Sequence, residues 1–212
     1  DCQATVSLGE FSRGGLTRGE MKAYDHDFGH EAKSIPCGLL DEETGQLCLT
    51  FGSSAKTSDF IVDTLAAWWQ GPTTAEHDAI DRVQIKMDNG PESSGVRTQF
   101  LHRMVQWVDH IGKPIQLVYF PPYHSKYNPI ERCWGILEQH WNGTQLINVD
   151  TMLAWAHSMT WKGLHPLVTL SRTVYQKGVS LSKAALRAVE ARLERDPLLP
   201  QWDILIRPVV PT

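Results

Sequence analysis

The middle of the chain alternates short apolar runs with segments of helical periodicity, and this alternation narrows the possible folds more than any other feature. VQIKM (83–87) reads as a short strand, and the turn-rich DNGPESSG follows it. RTQFLHRMVQWVDHIG (97–112) places Phe100, Leu101, Met104, Val105, Val108 and Ile111 on one helical face, with Gly112 as a C-terminal stop. IQLVYF (115–120) is continuously apolar, the pattern of a strand buried on both faces, and a helix over 129–141 and another from about 149 to 160 come after it. Strand, helix, strand, helix predicts an α/β chain whose sheet is covered by helices.

The N-terminal half adds antiparallel structure. Residues 1–12 carry β-prone Ala4, Val6 and Leu8 before the SRGG turn, and 16–34 is polar and loop-like. IPCGLL (35–40) and QLCLTF (46–51) flank DEETG, which predicts a hairpin. Thr57 or Ser58 can cap a helix through Phe60, Ile61, Leu65, Trp68 and Trp69 that Gly71-Pro72 ends, and the Trp pair reads as core. Near the end, SLSKAALRAVEARLERD (180–196) predicts an amphipathic helix capped by Ser180 or Ser182, its charges a solvated face. The expected organisation is a mixed sheet of initial antiparallel strands followed by parallel ones, a core over 1–145, and a helical extension over 146–212 packed on it.

Composition removes several function classes. With 212 residues, 42% of them hydrophobic, and eight Trp, the chain can bury a substantial core, and no apolar run reaches the roughly 20 residues of a membrane span. Cys2, Cys37, Cys48 and Cys133 are scattered, with no C-x-x-C pair, so zinc held by cysteines is not expected and a reducing cytoplasm is. A net charge of -4 gives no general attraction for nucleic acid, so such a partner has to be argued from a local site. The chain opens at Asp1 inside an extended segment, which reads as a fragment of something longer.

Two acids stand at positions where α/β proteins build sites. Asp88 follows a strand, and Glu131 lies in the first turn of the helix after the next strand. Asp1 joins them if its strand is central. Three carboxylates form a hard oxygen site suited to Mg²⁺ or Mn²⁺, and two such ions about 4 Å apart can activate water and stabilise a leaving phosphodiester oxygen. Each acid also has a plain structural reading. Asn128-Pro129-Ile130-Glu131 fits a capping box, Asp88-Asn89-Gly90 is a common turn, and Asp1 is a terminus. His124, Lys126 and Arg132 form a small basic cluster that can steer a phosphate backbone or simply be solvated. His26 and His30 have i, i+4 spacing in a segment poorly suited to a helix, and no Gly-rich phosphate loop or nucleophile elbow occurs.

Taken together, these segments resemble a known family. MDNGPES and PPYHSKYNPIERCWG resemble the surroundings of the second Asp and the closing Glu of DDE-type transposases. DCQATVSLGEFSRGG, YDHDF, IPCGLLDEETGQL, KTSDFIVDTLAAWW and YQKGVSLSKAAL resemble, in that order, the DDE domain of the Rhodopirellula-type insertion-sequence transposases. This chain departs from the family pattern in Cys2-Gln3-Ala4, where lysines follow the first Asp, and in Asn89-Gly90-Pro91-Glu92, where the second Asp lies in a Gly-rich loop.

The resemblance implies an RNase H-like fold shared with retroviral integrases, and Asp1, Asp88 and Glu131 as catalytic residues and ligands of two Mg²⁺ or Mn²⁺ ions. It implies hydrolysis at element ends and strand transfer into target DNA, a homodimer or higher complex, a nucleoid-associated location, and an N-terminal helix-turn-helix region that does not precede Asp1 here. Two other functions stay open: a non-catalytic DNA- or partner-binding remnant, and an RNase H-fold nuclease that stops after hydrolysis.

Overall fold

A computed structural model describes residues 1–9, 32–121 and 124–209. The SRGG turn, most of the polar 16–34 segment and the His26/His30 pair lie outside the described residues. The architecture is mixed α/β, with six α-helices and two mixed four-stranded sheets among the described residues, consistent with an RNase H-like fold. Among the described residues the strands form two sheets rather than one, divided between two compact units, each discontinuous in sequence. One unit comprises 1–55 and 129–174, the other 56–128 and 175–212.

In the first unit, β1 (Val6–Leu8), β2 (Ala32–Leu40) and β3 (Leu47–Gly52) are antiparallel neighbours, and β6 (Leu167–Ser171) runs parallel to β3. The hairpin expected from DEETG is present. Asp41 Oδ1 accepts the Glu43 and Thr44 N–H groups, and Gly45, at φ 76°, takes the left-handed conformation that closes the turn. The chain ahead of β1 also runs along β2, with Gln3 N–H donating to Pro36 O at 3.0 Å. From Gln3 to Val6 it uses one residue more than β2 does from Pro36 to Ser34, a bulge that separates the Asp1 segment from β1 proper.

Leu47, Leu49 and Phe51 of β3 project from one face of this sheet into a core with α4 (Pro129–Trp141) and α5 (Val149–Ser158). From α4 come Ile130, Cys133, Trp134, Leu137 and Trp141, which recur at helical spacing as the sequence predicts. Asn148 caps α5 by accepting the Thr151 N–H at 2.8 Å. Neither β6 nor its parallel pairing was expected from the sequence.

The second unit centres on β4 (Val83–Asp88) and β5 (Ile115–Phe120), paired in parallel in register from Val83↔Ile115 to Asp88↔Phe120. β8 (Asp203–Ile206) adds antiparallel to β5, and β7 (Leu193–Arg195) to β8. The expectation that β5 is buried on both faces needs correction. Ile115, Leu117 and Tyr119 are buried, but the alternate residues are only partly so, because Gln116 uses that face to donate to Asp203 at 2.8 Å.

α1 (Ser58–Trp69) is capped by Thr57, whose Oγ1 accepts the Phe60 N–H at 3.2 Å. Trp69 is core, while Trp68 is only half-buried. α3 (Thr98–Ile111) ends at Gly112, φ 67°, as its sequence predicts. Arg103 of α3 bridges Asp59 and Asp63 of α1 at 2.7 and 2.6 Å, which joins the two helices by a charged fork as well as an apolar face.

Two smaller helices complete this unit. α2 (Thr74–Asp78) was not expected, although Thr73 and Glu76 form a reciprocal capping box. The C-terminal amphipathic segment is shorter than expected: α6 (Lys183–Glu190) is capped by Ser182 and stops at Glu190, and Leu193 to Arg195 become β7. Arg192 forks onto Asp109 and Arg195 onto Glu190, holding the carboxyl of each below its usual range, so the chain leaves the helix with its charges already paired.

Candidate active site

Asp1 is held by two backbone bonds. Its nitrogen donates to Gly38 O and its carbonyl accepts the Gly38 N–H, both at 2.7 Å. Directly opposed residues of an antiparallel pair share a face, so Asp1 and Gly38 project to the same side of the sheet. Gly38 has a second role there. A Cβ on it would lie 2.6 Å from Trp134 Cζ2, 2.8 Å from Trp134 Cη2 and 3.1 Å from Ile130 Cδ1. The space a side chain would fill is taken by the first turns of α4, the helix that carries Glu131. Gly38 therefore lets α4 approach β2 at the point where β2 holds Asp1, and both acids belong to this unit.

Asp88 closes β4 in the other unit, half-buried, with its Oδ1 accepting from Asn128 Nδ2 at 3.3 Å. Asn128 is 3% exposed. This contact gives it a role that the sequence, read as a helix cap, did not suggest.

The loop after Asp88 is firmly built. Asn89 Oδ1 accepts the Gly95 N–H at 3.2 Å, Tyr119 OH donates to Ser93 O at 2.7 Å, and Ser58 Oγ donates to Glu92 O at 2.7 Å. Burial pushes the Tyr119 hydroxyl well above its ordinary range, so it stays a donor. Gly95 passes so close to Gln201 that a Cβ would meet its carbonyl oxygen at 2.3 Å. The DNGPESSG segment is a turn, as its composition says, and also a rigid seat for the acid before it.

The basic cluster divides between the units: His124 and Lys126 in one, Arg132 in the other, all three exposed. His124 stacks on Tyr127 at 5.9 Å between ring centres, and Lys126 Nζ sits 4.9 Å from the centre of that ring. Among the described residues, no group of three or more His, Cys, Asp or Glu side chains is gathered as a metal site. Each acid carries a half-buried carboxylate, the hard oxygen group a divalent cation takes: Asp88 at the end of β4, Glu131 in the first turn of α4, and Asp1 on the segment bonded to Gly38 of β2.

The sequence model of the Rhodopirellula transposase DDE domain matches residues 1–208. The chain belongs to this family. As a DDE transposase domain it belongs to a class of nucleases and transposition enzymes that generally work on DNA with divalent metal ions. No curated protein and no solved structure matches it. No helix among the described residues is long and apolar enough to cross a membrane.

Proposed function

We propose that the domain is the catalytic part of a cut-and-paste transposase, with Asp1, Asp88 and Glu131 as catalytic residues and ligands of two Mg²⁺ or Mn²⁺ ions. The pairing of Asp1 with Gly38 supports this most directly, because the same glycine admits the helix bearing Glu131. When bound, the ions supply the Lewis acidity that lowers the pKa of an attacking water or hydroxyl and neutralises charge on the leaving oxygen.

The chain's own part is placement. β2 fixes the backbone of Asp1 from both sides. Asn128 donates to one oxygen of Asp88 and thereby orients the carboxylate, as an outer group does for a metal ligand. Trp134 and Ile130 lock the first turns of α4 and so set the position of Glu131. His124 and Lys126, exposed beside Tyr127, suit contact with the phosphate backbone of an element end, and Arg132 does the same from α4. On this reading, water cleaves at the element end and the freed 3′-hydroxyl attacks target DNA. Two ends must be held together, so the working complex has at least two copies, acting at the nucleoid.

Incubating the protein with supercoiled plasmid and Mn²⁺ or Mg²⁺ tests the reaction. Metal-dependent nicking followed by joined products is expected. Nicking without any joining would make it a nuclease, and no nicking in either metal would make it a non-catalytic binding domain.

A further inference from the structure

Cys2 and Cys37 lie opposite one another on the two strands that hold Asp1, joined by an antiparallel bridge. The backbone bonds on either side define the kind of pair they form. Asp1 and Gly38 exchange both their bonds, and Gln3 donates to Pro36, so Cys2 and Cys37 occupy the intervening position that exchanges none. At such positions the two Cα atoms are about 4.5 Å apart and the side chains approach more closely than at the bonded ones, which falls inside the range a disulfide spans. Both residues are thiols here, Cys37 3% exposed and Cys2 half-buried.

We propose that Cys2 and Cys37 are a reversible cross-strand disulfide pair, which on oxidation staples the Asp1 segment to β2. The oxidant is a small-molecule disulfide such as glutathione disulfide. Cys2, the more accessible of the two, attacks one of its sulfurs and expels one glutathione thiol, forming a mixed disulfide. Cys37 then attacks the Cys2 sulfur and expels the second. Two cysteine thiols lose two electrons and two protons, and one glutathione disulfide becomes two thiols.

The other two cysteines are poor competitors. Burial pushes the Cys48 thiol up to about 11, leaving little thiolate to react, and Cys133, on α4, is only 1% exposed. Cys48 is also badly placed. Cys37 faces Thr50 and Cys48 faces Leu39, so the two cysteines are diagonal neighbours, about 7–8 Å apart and beyond the usual disulfide span. The bond itself does not depend on what the domain catalyses. Its importance for a metal ligand at Asp1 rests on the proposed function.

Titration with glutathione disulfide, read by intact mass and a non-reduced peptide map, tests the pair. The expected product is lighter by about 2 Da, carries a linked Cys2–Cys37 peptide, and reverts with dithiothreitol. In the oxidised form the Gln3 and Gly38 amides should exchange with deuterium about tenfold more slowly, while amides of α3 are unchanged. Cys2→Ser, at the half-buried member, should fold with the same melting temperature and yield no linked peptide. Separate glutathione adducts on Cys2 and Cys37, a link to Cys48 or Cys133, or no reaction under conditions that oxidise the isolated peptides would each overturn the proposal.

Discussion

Gly38→Ala is expected to destabilise the domain by about 1–3 kcal/mol, although alanine is otherwise the better strand residue. The new methyl meets Trp134 Cζ2 at 2.6 Å, and Trp134 is 2% exposed and packed on every side, so the ring has nowhere to move. Either β2 or α4 must shift, and a shift of α4 carries Glu131 with it. Metal-dependent nicking should therefore fall more than the loss of folded protein accounts for. The double variant Gly38→Ala with Trp134→Phe removes the two ring atoms that clash, and Trp134 Nε1 has no hydrogen-bond partner to lose. Urea melts of the two single variants and the double should show the paired change costing less than the sum of its parts. Strict additivity would mean that Gly38 is not the seat of α4.

Asp88→Asn should leave stability within about 1 kcal/mol of the parent and lower nicking by about a thousandfold, the several kcal/mol of charge stabilisation that a metal ligand secures. Little folding energy is at stake because the replacement still presents an oxygen to Asn128 Nδ2 and still suits the end of β4. Thermal melts and nicking rates on the same preparation separate the two effects. If the variant instead melts far below the parent, Asp88 is a structural turn residue and its place in the proposed site fails.

What the sequence disclosed, and what it hid, follows the range of the forces involved. The β2–β3 hairpin, α1, α3 and α4 were legible because their signals are local: Asp41 and Gly45 in the turn, Thr57 and Gly112 at helix ends, and apolar residues at helical spacing. α2 was missed although its signal, Thr73 and Glu76, is equally local and could have been read. β6 and β7 are different. β6 has no fully buried residue, only Val168 and Leu170 partly covered by the core, and it is set in the sheet by its pairing with β3. Leu193-Glu194-Arg195 has no strand character of its own and extends because β8 pairs with it.

The site shows the same division. The positions of Asp88 and Glu131, after a strand and at a helix mouth, were plain in the sequence, whereas Asp1 joined them only on the condition that its strand is central, and the resemblance made it the first acid. Their supports were less visible. Gly38 had a readable signal, a glycine inside an apolar strand, which often marks close approach of another element. Asn128 had none, because nothing in the sequence links it to Asp88, 40 residues earlier.

The proposed function requires that Asp1, Asp88 and Glu131 hold the same divalent ions. Titrating Mn²⁺ into the protein and into Asp1→Asn, Asp88→Asn and Glu131→Gln, with free Mn²⁺ read by electron paramagnetic resonance, tests it without any DNA. The parent should bind two ions, and each variant should bind them about tenfold to a hundredfold more weakly. A parent that binds no Mn²⁺, or any one variant that binds as the parent does, would contradict it.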